Sequence, residues 1–337
     1  MSLWATLLET AIHSPSPHNV QPWRVRIHND RKADLLIDSA RTLPKEDPTA
    51  SFIILTMGMF IEALSLLAAN RKYRLEYDLF HEPAWYAGAI LDAREQTFLP
   101  FARLRLVPDD GLPSTDYDPA VFLKRRTSRI SLLPRPVPHE AAQALKRLAA
   151  EWNHRHEQIT DTSAIERILD RNTEALFEDL NSPDYHDEIT SWFRFTDRAS
   201  RRHRDGLDYR CMNTSRSTYW LTARFPKLLL LPGARSLLSR TYRAQLGPVP
   251  TIGLLAGDFW QPESAIKTGR FLMRFWLETA RRNLYIHPYG NMVTNKKAAQ
   301  WLRAETKVPD IWLVFKIGYS AEPPKSHRRP VEDILLD

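Results

Sequence analysis

The stretch Ser14–Trp23, SPSPHNVQPW, decides how the rest of this chain is read. Pro15, Pro17 and Pro22 cannot continue a helix, and each pushes the residue before it toward extended geometry. A helix must therefore end before this stretch, and a strand can begin only after it. Upstream, Leu3, Trp4, Leu7, Leu8, Ala11 and Ile12 fall on one stripe at helical spacing. They predict a helix from Ser2 to about His13, with Ser2 as its N-cap. Downstream, Trp23, Val25 and Ile27 alternate with Arg24, Arg26 and His28, the pattern of a half-buried strand. Asn29-Asp30 turns it into a hairpin partner at Asp34–Asp38. The loop between helix and strand is expected to be stiff, its backbone held apart from regular hydrogen bonding. Ser14, Ser16, His18, Asn19 and Gln21 line it, with donors and acceptors suited to a flat, polar-edged ligand. The same side chains equally suit a polar turn that satisfies its own backbone.

A chain of 337 residues can bury a full core, as one large domain or two moderate ones. Its 43% hydrophobic and 26% charged residues are ordinary for a soluble globular protein. Cys211 is the only cysteine, which excludes an internal disulfide and a cysteine-based zinc site and favours a reducing compartment. With no signal-peptide pattern at the start of the sequence, the expected location is cytoplasmic. A net charge of +7 and a pI near 9.5 favour an anionic ligand, nucleic acid or acidic lipid without choosing among them.

Phe52–Ala69 is the most apolar segment. Glu62 near its middle and the lack of interfacial anchors favour a buried core helix over a membrane span. Tyr73–Leu79 and Ala102–Leu106 alternate as strands flanking a loop around Trp85–Gly88. Leu112–Asp118 reads as a junction. Helices are predicted over His139–Trp152, Ser163–Leu180, Asp187–Arg204 and Ser264–Arg282, with strands at Thr251–Ala256 and Ile311–Ile317. Asn283–Asn295 reads as a loop. Ser215–Arg243 mixes apolar residues with Arg224, Arg235, Arg240 and Arg243, a pattern shared by a packed lid helix and a helix lying on an acidic membrane.

Several chemistries are absent from the sequence. No G-x-G, G-x-x-x-x-G-K, G-x-S-x-G or H-E-x-x-H pattern occurs. His154-x-His156 is the nearest approach to a metal motif, and it is read as sitting among polar helix residues. Lys124–Arg129 is more informative: four of its six residues are basic, and Thr127 and Ser128 add hydroxyls. Guanidinium forks and hydroxyl donors can wrap a phosphate monoester. A solvated basic face is the commoner fate of such a run. Nucleic-acid binding usually needs a broader basic surface with interleaved aromatics.

Taken together, the two motifs resemble the nitroreductase superfamily of flavin enzymes, most closely its Acg-type branch. Leu123–Arg129 is similar to the family's phosphate-binding L-K-R-x-[ST]-x-[RK] segment. Ser14–Trp23 is similar to its S-P-S-x-x-N-x-Q-P-W segment, which lies along the flavin ring from the partner subunit. Here the order is reversed, as in a fused pseudo-dimer that keeps one composite site. The resemblance implies an α+β fold, a nitroreductase-like α/β sandwich of two fused half-repeats with a mostly antiparallel central sheet surrounded by helices. The N-terminal half would span 1–115. The C-terminal half, 116–337, would include a lid over about 185–250 and a basic tail. One FMN per chain is implied, with NADPH or NADH as electron donor.

The residues matched to the FMN site are Ser14, Pro15, Ser16, His18, Asn19 and Gln21 in the loop and Arg125, Thr127 and Arg129 in the cluster. Tyr289, Gly290 and Asn291, in the stretch IHPYGN, would present amides to flavin N5. Lys325, Arg328 or Arg329 of the tail PPKSHRRPVED would return to the phosphate. No side chain is required as a general acid, and no metal is expected. The first implied function is hydride transfer from NAD(P)H through FMN to a small nitroaromatic or quinone-like acceptor. The second is flavin storage under a closed lid without turnover. The third is a basic surface-binding protein for membrane or nucleic acid. The flavin readings expect a monomeric pseudo-dimer without nucleic acid, with peripheral membrane contact confined to about 220–245.

Overall fold

A computed structural model describes residues 2–93, 95–225 and 231–337. The chain opens with α1 (Leu3–Ala11), capped as expected by the Ser2 hydroxyl, which accepts from the Ala5 N–H. The elements β1 (Trp23–Asn29), β2 (Lys32–Asp38), α2 (Ser51–Ala69), β3 (Tyr73–Leu79), α3 (Pro83–Asp92) and β4 (Phe98–Pro108) follow. Next come α4 (Pro119–Lys124), α5 (His139–Glu151), β5 (Arg155–Ile159), α6 (Thr162–Leu180), α7 (Pro183–Ser191), β6 (Phe193–Arg194), α8 (Asp197–His203) and β7 (Leu207–Asp208). The remainder is α9 (Arg216–Arg224), α10 (Pro232–Gln245), β8 (Ile252–Ala256), α11 (Pro262–Arg281), β9 (Tyr285–Pro288), α12 (Asn291–Thr294), α13 (Lys296–Thr306), β10 (Ile311–Gly318) and β11 (Leu335–Leu336).

The class is α+β, with mostly antiparallel strands surrounded by helices. The strands divide between two main sheets, ordered β11-β1-β2-β4-β3 and β5-β8-β10-β9, with a small parallel pair β6-β7. The last strand, β11, returns across the molecule to pair in parallel with β1, Val25 against Leu335.

Two long helices, α2 and α11, cross between the halves of the chain. α2 is apolar on nearly every side and buried along its length, which makes it a core helix and not a membrane span. The crossing is close because each helix has a glycine at the contact. A Cβ on Gly58 would lie 2.2 Å from the Ile266 carbonyl oxygen, and one on Gly269 would lie 2.0 Å from that of Leu55. Glu62, fully buried on α2, is answered by Arg270 at 2.7 Å and by Arg274, both on α11. The amino end of α2 is held by Asp47, whose carboxylate accepts from the Phe52 and Ile53 N–H groups at 2.9 and 3.0 Å.

Four expectations are corrected. Trp85–Gly88 is helical, not a loop, because Pro83 starts α3 at the one helical position that proline favours. Asp187–Arg204 is not one helix. The aromatic and β-branched run Phe193–Thr196 prefers extended backbone, so β6 intervenes, and Thr196 caps a new helix by accepting from the Ala199 N–H at 3.1 Å. Asn283–Asn295 contains β9 and α12, because Ile286 and its neighbours extend the β10 ladder. His154 and His156 lie at strand β5, not among polar helix residues. His154 stacks on Phe271 and His156 packs parallel to Phe315, as core histidines do. Among the described residues, no group of three His, Cys, Asp or Glu could hold a metal.

Candidate functional site

The loop after α1 is strained in a way its composition does not require. His18, Asn19 and Gln21 adopt left-handed backbone at φ 45°, 56° and 53°, a region that non-glycine residues enter at a cost and that clusters at ligand sites. The expectation of a backbone free of regular hydrogen bonds is corrected. Asn19 N–H donates to the Ser16 carbonyl at 3.1 Å and Val20 N–H to that of Pro17 at 3.0 Å, closing a short 3-10 turn. The Ser16 hydroxyl accepts from the Gln21 N–H at 3.0 Å. Gln21 is buried and acts as a staple. Its amide donates to the Arg204 carbonyl at 2.9 Å and accepts from the Arg329 N–H at 2.9 Å. Asn19 holds the tail in the same way, donating to the His327 carbonyl at 3.1 Å and accepting from Arg328 at 2.8 Å.

The basic cluster begins where α4 ends. Arg125 is 6% exposed, lies 4.8 Å over the Trp276 ring, and donates to the His13 carbonyl at 3.1 Å. Arg129 donates to the Cys211 carbonyl at 3.3 Å. Thr127 bridges Ile286, and Ser128 N–H donates to the Ile286 carbonyl at 3.0 Å, which ties the cluster to the β9 edge. Arg126 points elsewhere, to Glu322 at 2.7 Å.

These segments meet at one cavity of about 430 Å³. Pro15, Ser16, His18 and Asn19 line it from the loop, and Arg125, Thr127 and Arg129 line it from the cluster. Tyr289, Gly290 and Asn291 form another wall, and Lys325 and Arg328 come from the tail. Ser14, Gln21 and Arg329 do not line it. Ser14 and Gln21 are buried behind the loop, and Arg329 turns to the Asp333 carbonyl. The Tyr289 N–H donates to the Val314 carbonyl at 2.7 Å, so it is spent on the β10 edge and does not face the cavity as a free donor. The Gly290 and Asn291 N–H groups find no acceptor among the described residues. A Cβ at Gly290 would meet nothing within 4 Å, so the backbone there is open to close approach. The Asn291 side chain donates to the Asn172 carbonyl at 2.9 Å.

The electrostatics of this end are one-sided. Arg125, Arg129, Arg328 and Lys325 face the cavity, and none of them has a carboxylate partner among the described residues. Burial lowers the Arg125 guanidinium to about 9, with the Arg328 charge adding to the effect. Burial brings Arg328 down to about 10. His13, beside them, is pushed down to about 3 by burial and then by Arg328, Lys325 and Arg125. The Nε atoms of Arg125 and Arg328 are buried without a partner. A buried cation without a counter-charge costs several kcal/mol. Arg125 is buried and Arg129 and Arg328 are half-buried, so the cluster is chemically suited to an anion.

Helices within the segment expected to form a lid line the cavity as well. Tyr185 and Thr190 on α7, Tyr219 and Thr222 on α9, and Leu238 and Tyr242 on α10 line the cavity. The apolar and basic segment at about 220–245 falls partly outside the described residues. Trp220, Leu221, Phe225, Leu231 and Leu237 around it are exposed. Sequence reasoning missed the cavity's acidic residues Glu46, Asp47, Asp179 and Asp208. They come from three separate segments, and only the capping position of Asp47 before α2 left a trace in the sequence.

No protein-family model matches the chain. Two curated Mycobacterium tuberculosis proteins, each named "Putative NAD(P)H nitroreductase", are 24% identical over 188 residues, which cover 56% of this chain and 50% of theirs. The chain thus matches about half the length of these relatives. Among solved structures, the FMN-dependent nitroreductase NfnB of Mycobacterium smegmatis, crystallised with NADPH, aligns at 16% identity and a TM-score of 0.37 over 64% of this chain and 90% of its own. A Bacteroides fragilis nitroreductase with bound FMN aligns at 12% identity and a TM-score of 0.37, over 62% and 91%.

Proposed function

We propose that the chain is an FMN-dependent NAD(P)H oxidoreductase of the nitroreductase class, with one flavin site per chain. The observation that carries this reading is the convergence of Arg125, Arg129 and Arg328 on one cavity, none of them ion-paired to a carboxylate among the described residues. Three segments far apart in sequence supply these groups, and guanidinium forks suit a phosphate monoester. The residues fit the cofactor. The orphaned guanidinium nitrogens await acceptors, the open backbone at Gly290 leaves room for a ring, and the strained His18–Asn19 turn forms a rigid wall.

FMN supplies the two-electron chemistry when bound. The chain's own residues bind and orient it. Arg125, Arg129, Arg328 and Lys325 neutralise the phosphate, and Thr127 adds a hydroxyl. Asn19, locked by Arg328 and His327, fixes the loop against the ring edge. The Gly290 and Asn291 amides are the free donors for the ring nitrogen at which negative charge develops, in place of the Tyr289–Gly290 pair. The acceptor is a small nitroaromatic or quinone-like molecule, and NADPH or NADH is the donor.

The pseudo-dimer belongs to the same proposal. In support, each main sheet adjoins one of two long helices that cross through a reciprocal glycine contact. A second reading, flavin storage without turnover, is favoured by the lid helices that line the cavity. Anaerobic NADPH or NADH separates the two: the flavin absorbance of the purified protein bleaches in an oxidoreductase and persists in a storage protein. The phosphate assignment is tested by the double variant Arg125→Ala, Arg129→Ala. It is expected to purify folded and without flavin, and undiminished FMN content would sink the assignment.

A further inference from the structure

The cavity has a second end, opposite in charge to the first. Glu46, Asp47, Asp179 and Tyr185 line it. No ion pair joins these acids to Arg125, Arg129, Arg328 or Lys325 among the described residues. Their charges crowd one another. Burial raises the Asp179 carboxyl to about 6, with Glu46 and Glu178 adding to the effect, and burial, Glu46 and Asp179 together raise the Tyr185 phenol.

Their hydrogen-bonding capacity is unevenly used. The Asp47 carboxylate is spent on the amino end of α2, and Glu46 contacts His18. Asp179 accepts from Asn295 at 2.8 Å through Oδ1, while its Oδ2 is buried with no partner. His186, 6% exposed and also on the cavity wall, has Nδ1 3.5 Å from the Asp187 carboxylate. Its Nε2 is buried and has no partner. A buried carboxylate oxygen without a donor and an imidazole nitrogen free to accept, in a cavity that Glu46 also lines, suit a ligand rich in N–H groups and positive in charge. Phe52 and Phe177 add aromatic surface to the same cavity, which suits a ring bearing such a cation.

We propose that the Glu46–Asp179–His186 end of the cavity is a subsite for an aromatic organic cation, so that the acceptor reduced here carries an amidinium or protonated amine. The inference rests on the flavin reading for what fills the other end. It adds the charge and class of the substrate, which neither the two motifs nor the relatives specify. The arrangement also orients such a substrate, since the arginine end repels its charge and the acidic end attracts it.

The test is isothermal titration of the flavin-loaded, full-length protein with benzamidine and with its neutral isostere benzamide. Benzamidine is expected to bind about tenfold tighter or better, a typical return for a charge-assisted contact in a dry site. In Asp179→Asn that preference should fall at least about fivefold, with benzamide affinity and flavin content unchanged. The asparagine keeps the oxygen that accepts from Asn295, so folding should survive. If it does not, Glu46→Gln is read in its place. Equal binding of the two probes to the wild type overturns the proposal, as does a preference that survives both substitutions. A protein that holds no flavin yet prefers benzamidine would remove the flavin reading and leave this subsite standing. A flavin-loaded protein indifferent to probe charge would do the reverse.

Discussion

His13 shows, at the level of one residue, how this site opposes the fold that carries it. Its imidazole lies beside Arg328, Lys325 and Arg125, and burial with those charges holds it down to about 3. In the unfolded chain it titrates near 6.5. The folded state therefore binds fewer protons than the unfolded state between these two values, and stability must fall as pH drops from about 6.5 toward 3. The expected outcome is a thermal midpoint that declines over this range and declines less in His13→Gln, followed by differential scanning fluorimetry. Inorganic phosphate should also reduce the wild-type loss, because an anion among the guanidinium groups lets the imidazole keep its proton more easily. A midpoint with the same acid dependence in both proteins would dissociate His13 from the cluster. Much at this scale was legible in the sequence. Side-chain type and spacing marked Asn19, Arg125 and Arg129, and the structure brings them to one cavity. The use of the Tyr289 N–H by Val314 and the capture of the Arg329 N–H by Gln21, which turns Arg329 away from the cavity, were not legible, because each depends on a segment distant in sequence.

At the scale of elements, the α2–α11 crossing sets the distance between the two halves. Gly269→Ala gains about 1 kcal/mol of helix propensity. Against this, its Cβ would lie 2.0 Å from the Leu55 carbonyl oxygen. Backbone cannot yield there as a flexible side-chain tip could, so the helices must separate, and overpacking of this kind costs about 1–3 kcal/mol or more. The clash outweighs the propensity, and a net loss of about 2 kcal/mol is expected in urea unfolding. Gly88→Ala on α3 is the control. Its Cβ meets nothing within 4 Å, so propensity alone acts and stability should hold or rise slightly. Equal effects of the two substitutions would remove close packing as the reason for Gly269. The elements the sequence revealed were those with a strong period or a cap, such as α1, α2, β1 and α11. It failed at α3, β6 and β9. Those short elements owe their form to neighbours, as β9 does to the edge of β10.

For the whole molecule, the flavin reading proposed above turns on how many chains and how many flavins make one functional unit. The loop wall of the cavity comes from the first forty residues, the phosphate cluster from the middle and the last cations from the tail, all within a single chain. β11 then runs back to β1, so the C-terminus is stitched into the sheet of the N-terminal half. A dimer built from two separate chains would supply these parts twice and form two equivalent sites. Here the SPSPHNVQPW loop and the LKRRTSR segment each occur once, so the proposed arrangement provides one complete site per chain. The expected result is a solution mass near the 39.1 kDa of one chain by light scattering, with flavin absorbance equivalent to one FMN per chain. A stable species of twice that mass whose flavin is lost on dilution to single chains would place part of the site on a partner and overturn the single-chain arrangement. A monomer holding two flavins per chain would do so too, because it would require a second anion site that the chain's one L-K-R-R-T-S-R segment cannot form.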